Sequence, residues 1–125
     1  MKVTKQQVEN WNKKAGNGFS VNIRMLMLHN EKALTKFVDI DEGHCYEYTI
    51  RFFEEHSTQG SGWKVETGRK IPMITRTKWK NEHNDMMSSS GWDKKIAIGE
   101  PVEKRSFALL QKLSHSITDE YLANM

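Results

Sequence analysis

The sequence predicts an α+β domain: an N-terminal helix, about five mostly antiparallel strands in sequence order, and a C-terminal amphipathic helix packed on the sheet. Three observations carry this expectation. Between Phe19 and Lys80 apolar and polar residues alternate with the period of half-buried strands. Beyond Gly99 the apolar residues recur at three- to four-residue intervals, the spacing of a helix with one buried stripe. At the other end, Thr4-Lys5-Gln6-Gln7 has the spacing of a capping box.

Thr4 is placed to cap a helix over Lys5 to Lys14, with Gln7 reaching back to it and Val3 and Val8 forming a hydrophobic staple. Gly16 and Gly18 stop it. Its apolar face is only Val8, Trp11 and Ala15, so Trp11 would anchor it to something larger.

The clearest strand follows, with Phe19, Val21, Ile23, Met25 and Met27 alternating against Ser20, Asn22, Arg24, Leu26 and Leu28. Because Leu26 and Leu28 make its second half apolar on both faces, a helix or another subunit is expected to cover that end. Leu34 to Ile40 gives a second strand, ended by the turn residues Asp41-Glu42-Gly43. Tyr46, Tyr48, Ile50 and Phe52 alternate with Glu47, Thr49, Arg51 and Phe53 in a third. Ser57 to Gly62 is a flexible connection.

Trp63–Thr67 and Lys70–Lys80 read as strand on either side of a turn or bulge at Gly68, and Pro72 suggests an edge position. Residues 81–91 are polar and aperiodic and read as a long loop before a last strand at Trp92 to Ile98. Pro101 and Glu103 suit the start of a helix whose stripe is Val102, Leu109, Leu110, Leu113, Ile117 and Tyr121. Ser116 and Asp119 offer a second capping box, so either one helix runs to about Leu122 or two follow in tandem.

The 125 residues fit one domain, and the single cysteine, Cys45, excludes a disulfide scaffold. No apolar run is long enough to span a bilayer and the N-terminus lacks a signal-peptide core, so the expected compartment is the cytoplasm and no membrane partner is expected. The net charge of +3 conceals a block pattern. Residues 29–62 hold three Lys and Arg against seven Asp and Glu, and residues 63–80 hold six against one. Strands of opposite sign can neutralise each other by pairing, or the basic one can form a surface for nucleic acid.

No catalytic group is recognised. The histidines at 29, 44, 56, 83 and 115 lack metal-ligand spacing, and the glycine-rich phosphate loops are absent, so neither metal nor cofactor is predicted. His44 and Cys45 are adjacent and on a strand would point to opposite faces. Nothing argues for a lowered thiol pKa at Cys45. Glu82, His83 and Asp85 have no specific spacing for a divalent ion, and the His56-Ser57-Thr58 and His115-Ser116-Ile117 pair fails as a phosphoesterase signature because the second lacks its hydroxyl.

The pattern therefore predicts a small non-catalytic basic binding protein that binds nucleic acid through the strand around residues 64–80. Lys64, Arg69, Lys70, Arg76, Lys78 and Lys80 would lie on phosphates, with Trp63, Trp92 or Phe53 stacking on bases. Strand parity separates Arg76, Lys78 and Lys80 from Ile71, Met73 and Trp79, with side chains on one face roughly 6–7 Å apart, and the cationic face is expected to point to solvent. The alternative is a protein-binding inhibitor or adaptor of the kind carried by phages and mobile elements. Its contact surface would be Leu26, Leu28, Phe53, Ile74, Met86 and Met87, and the same surface would serve a homodimer.

Overall fold

The computed structural model describes residues 5–6, 13–26, 29–82 and 85–125 and, within these, the side chains outside 25–30 and 81–90. Five strands form one sheet in the order of the chain, every neighbour antiparallel: β1 (Ser20–Leu26), β2 (His29–Asp41), β3 (His44–Thr58), β4 (Lys64–Glu82) and β5 (Asp85–Ala97). A 3₁₀ turn, Gly16–Gly18, precedes β1, and two short helices, α1 (Phe107–Ser114) and α2 (Asp119–Ala123), follow β5.

The α+β expectation is thereby corrected to a predominantly antiparallel sheet with minor helix. Of the predicted N-terminal helix, Lys5 and Gln6 are described and are helical, and Lys13 and Lys14 are described and are not helical. Lys14, the predicted helix end, is bridged to Ser20, and residues 7–12, including Trp11, lie outside the described residues. The C-terminal helix does not begin at Pro101 either. Val102 exchanges backbone hydrogen bonds with Lys70, at 2.7 and 2.8 Å, so the chain is bridged to β4 there and bends at residues 103–104 before the helix. The stripe is divided between two helices, whose caps are Ser106, accepting from the Leu109 amide, and Thr118, accepting from the Tyr121 amide.

One further sequence expectation fails because ladder pairing overrides local composition. The loop expected at 81–91 is strand at residues 81–82 and 85–91, with Asn81 opposite Met86 and Glu82 opposite Asp85. The bulge expected at Gly68 is present: with Lys70 opposite Glu54 and Glu66 opposite His56, residues 67–69 of β4 stand against Glu55 alone, and Gly68 takes φ +88.

β4 is flanked by β5 from Met73 onward, and at Pro72 it has passed the last residue of β5, the edge position that the missing amide suggests. Ile98 donates to the Pro72 carbonyl at 2.9 Å, so the main-chain groups of Pro72 face β5 just past its last residue, where no amide is required. The chain turns away at Gly99 in close contact: a β-carbon there would stand 2.9 Å from Cγ of Pro72 and 3.2 Å from Cδ1 of Leu113. Gly99→Ala should therefore cost about 1–3 kcal/mol of stability, the usual penalty for overpacking, measurable as a lower urea midpoint with unchanged slope.

The core lies on one face only. Val21, Leu34, Tyr48, Ile50, Phe52 and Ile74 of the sheet pack with Phe19 against Leu110, Ile117 and Leu122 of the C-terminal segment. Asn17, at φ 57, fastens the two ends together: its Nδ2 donates at 2.8 Å to the carbonyls of Ser114, His115 and Ile117, which lie at and just beyond the end of α1.

Candidate functional site

Alternation along β3 sends Tyr48, Ile50 and Phe52 toward the helices, so Cys45, Glu47, Thr49, Arg51 and Phe53 occupy the opposite face. Register adds Trp79, Thr77, Thr75, Met73 and Ile71 from β4, Thr35 and Phe37 from β2, and Asn22 and Arg24 from β1. Both α1 and α2 pack on the first face. The centre of the opposite face is nevertheless buried, and it is polar: Glu31, Thr35, Glu47, Thr49, Arg51 and Thr75 are each no more than 9% exposed.

Those groups are buried against one another. Glu47 gathers the Arg24 guanidinium, the Trp79 Nε1 at 2.7 Å and the Thr49 hydroxyl at 3.1 Å. Arg24 also donates to the Thr49 hydroxyl at 3.2 Å. Next to this, Arg51 donates to Glu31 at 3.4 Å, and its guanidinium carbon stands 4.8 Å from the centre of the Phe53 ring. Burial pushes the Arg51 pKa down from its ordinary value, with Glu31 opposing the shift. Some polar capacity is left over: Asn22 Oδ1, Arg24 Nε, Glu31 Oε1 and Arg51 Nε are buried without a hydrogen-bond partner.

Toward β5 the same face becomes aromatic and open. Phe53 and Trp92 meet edge to face at 5.1 Å between centroids, although β4 separates their strands. Adjacent strands are about 4.8 Å apart, so rings from β3 and β5 meet only by leaning over the β4 residues between them, which accounts for the burial of Thr75. Lys95, opposite Thr75 in register, holds its ammonium 5.1 Å from the Phe53 centroid and 5.5 Å from that of Trp92. Trp92 remains 50% exposed.

The cations predicted to follow a phosphate backbone are not arrayed as a free row. Arg76 faces the helices. It binds Asp93 through Nε at 2.9 Å and Nη2 at 3.0 Å, donates to the Met125 carbonyl at 3.2 Å and lies over the Tyr46 ring at 4.3 Å. Lys78 is opposite Tyr46 and Lys80 opposite His44 on that same face. The reason is the fixed register: Ile50 against Ile74 and Phe52 against Pro72 turn the even-numbered residues of β4 toward the core, and Arg76 is even. Arg69 pairs with Glu55, and Lys70 with Glu54 at 3.5 Å, so the acidic strand neutralises part of the basic one. Lys64 and Trp63 are exposed at the start of β4, Trp63 at 74%.

Of the predicted apolar contact surface, the side chains of two residues are described. Ile74 is fully buried in the core and Phe53 belongs to the aromatic pair. Leu28 and the side chains of Leu26, Met86 and Met87 lie outside the described residues. Cys45 is buried, and burial raises its thiol pKa, the opposite of what a nucleophile needs. Among the described residues no helix is long and apolar enough to cross a membrane.

Glu31, Glu47, Arg24 and Lys95 were not identified as site residues from the sequence. The available signal was the placement of opposite charges at alternate positions of successive strands. Asn22 and Arg24, then Glu31, then Glu47 and Arg51 all fall on the face opposite the core. Comparison with known proteins adds no further constraint: no protein-family model, curated protein or solved structure matches the chain.

Proposed function

We propose that the protein is a non-catalytic binder of single-stranded nucleic acid, with bases stacking on Trp92 and Phe53 and phosphate held at Lys95. The observation that carries this reading is the aromatic pair of an exposed Trp92 and a half-buried Phe53, with one ammonium within reach of both rings. Stacking of this kind is tolerant of sequence and is worth about 1–3 kcal/mol per base, while the cation supplies the salt-dependent part. Unpaired bases are the fitting substrate because rings lying on a sheet face reach a base only when its own face is free. Trp63 and Lys64 offer a second exposed ring beside a second exposed cation farther along β4.

The test is fluorescence anisotropy with labelled single- and double-stranded oligonucleotides at low and moderate salt. The single strand should bind better, binding should weaken as salt rises, and Trp92→Ala and Lys95→Glu should each weaken it by about tenfold or more, the loss of one stacking or charge contact. Absence of binding at low salt, or equal binding by both variants, would retire the proposal.

A further inference from the structure

A different part of the sheet is unfinished. β1 pairs with β2 only as far as Ser20 opposite Thr35. From Lys36 to Asp41, β2 keeps β3 on one side and has no strand on the other among the described residues. Six residues of open edge extend about 20 Å, enough for a short added strand. Sheet edges are ordinarily protected by lysine, proline or a covering segment. Here the edge carries two exposed apolar side chains, Phe37 at 53% and Ile40 at 41%. Its one lysine, Lys36, is engaged by Asp119 at 2.7 Å and by the Asn17 carbonyl at 2.9 Å.

Beside this edge lies a groove of about 550 Å³, with Val38, Tyr46, Tyr48, Leu122 and Ala123 among its lining. Alternation decides what an added strand would meet. Its side chains on the helix side would enter the groove next to Val38, and those on the other side would lie next to Phe37 and Asp39; the register shift after Asp39 turns Asp41 to the helix side, opposite His44. Asp39, Asp41 and Glu42 are all exposed, and a hydrogen bond with His44 holds the Asp41 carboxyl below its ordinary pKa. The edge is therefore apolar along Phe37, Val38 and Ile40 and anionic at its turn end, where Asp39, Asp41 and Glu42 follow one another.

We propose that the Lys36–Asp41 edge accepts an extended segment of a partner protein in which apolar residues alternate with lysine or arginine, the apolar ones seated in the groove and the cations beside Asp39 and the acidic turn that follows it. Charge decides between occupants. The exposed carboxylates of Asp39, Asp41 and Glu42 attract a cationic segment and repel an anionic one. A polyanion would meet the same repulsion, so this surface is separate from the proposed nucleic-acid face.

The probe is the capped hexapeptide Lys-Val-Lys-Val-Lys-Val added to the full chain, followed by amide chemical shifts and by titration. Shifts should concentrate at Lys36 to Asp41. Asp39→Lys and, separately, Ile40→Lys should each weaken binding about tenfold, roughly 1.4 kcal/mol. A Glu-Val hexapeptide, a Lys-Ser hexapeptide and a Lys-Val peptide N-methylated at every valine should each bind more weakly still, since they lack the charge, the apolar anchors or the strand hydrogen bonds. No binding at millimolar peptide, shifts mapping elsewhere, or affinity indifferent to N-methylation would overturn the proposal. Sedimentation showing a dimer that Asp39→Lys or Ile40→Lys abolishes would overturn it in favour of a second copy.

Discussion

Replacing Glu47 by alanine lowers the unfolding free energy by about 3 kcal/mol, a large share of the 5–15 kcal/mol that an ordinary domain possesses. Glu47 is buried and is the common acceptor for Arg24, the Trp79 indole and the Thr49 hydroxyl. Removing its carboxylate leaves an indole N–H without its acceptor and a cation without its counter-charge. The cost stays near the lower end of the range for buried pairs because the Arg24 side chain keeps 36% exposure and can turn to water. Glu47→Gln retains an acceptor oxygen and should lose only about 1–2 kcal/mol. Replacing Arg24, Glu47 and Trp79 together by Met, Leu and Phe should recover most of the loss, since an apolar set of similar volume avoids desolvating charge. Urea unfolding of the three variants measures this directly. A loss below about 1 kcal/mol for Glu47→Ala would mean that the network is screened like a surface ion pair and contributes little to the sheet.

The strands were legible wherever one face alternated strictly. Tyr46 to Phe53 and Phe19 to Leu26 follow parity, and the structure pairs both stretches antiparallel. What parity could not supply was the identity of the covered face of β4. Ile71, Pro72, Met73 and Ile74 are consecutive and apolar, so both faces there look fit for a core, and Trp79 tips the balance toward the odd residues. The choice is made elsewhere: Ile50 and Phe52 on β3 take Ile74 and Pro72 to the helices, and Trp79 is left on the polar face to serve Glu47. Residues 81–91 were illegible for a different reason. Polar, aperiodic side chains carry no face preference, and the hairpin there is specified by the backbone ladder that β4 extends to β5. The aromatic pair was half visible. Phe53 and Trp92 stood out as exposed rings, but their meeting across β4 depends on how the sheet curves, which no single strand encodes.

The reversed faces of β4 also decide which substitution is informative about binding. On the sequence alone, Arg76→Glu tests a phosphate contact. In the folded chain it places a carboxylate against Asp93 at a side chain only 13% exposed, while removing a two-point ion pair, the bond to the Met125 carbonyl and the cation on Tyr46. Arg76→Glu should therefore cost roughly 2–3 kcal/mol, moderated because Asp93 keeps a third of its side chain in water. Any nucleic-acid affinity it loses will be accompanied by a lower urea midpoint. Lys95→Glu should behave oppositely, because an exposed ammonium over two rings contributes about 0.5–1 kcal/mol to stability. Its midpoint should move little while single-strand binding falls about tenfold. The double charge reversal Arg76→Glu with Asp93→Arg should restore much of the stability lost by the first change and leave binding at Lys95 intact. Unfolding and anisotropy measured on the same three proteins separate a residue that holds the sheet on its helices from one that meets the ligand. If Arg76→Glu keeps the wild-type midpoint yet abolishes binding, the phosphate path runs along the helix side of β4 and the aromatic pair is only packing.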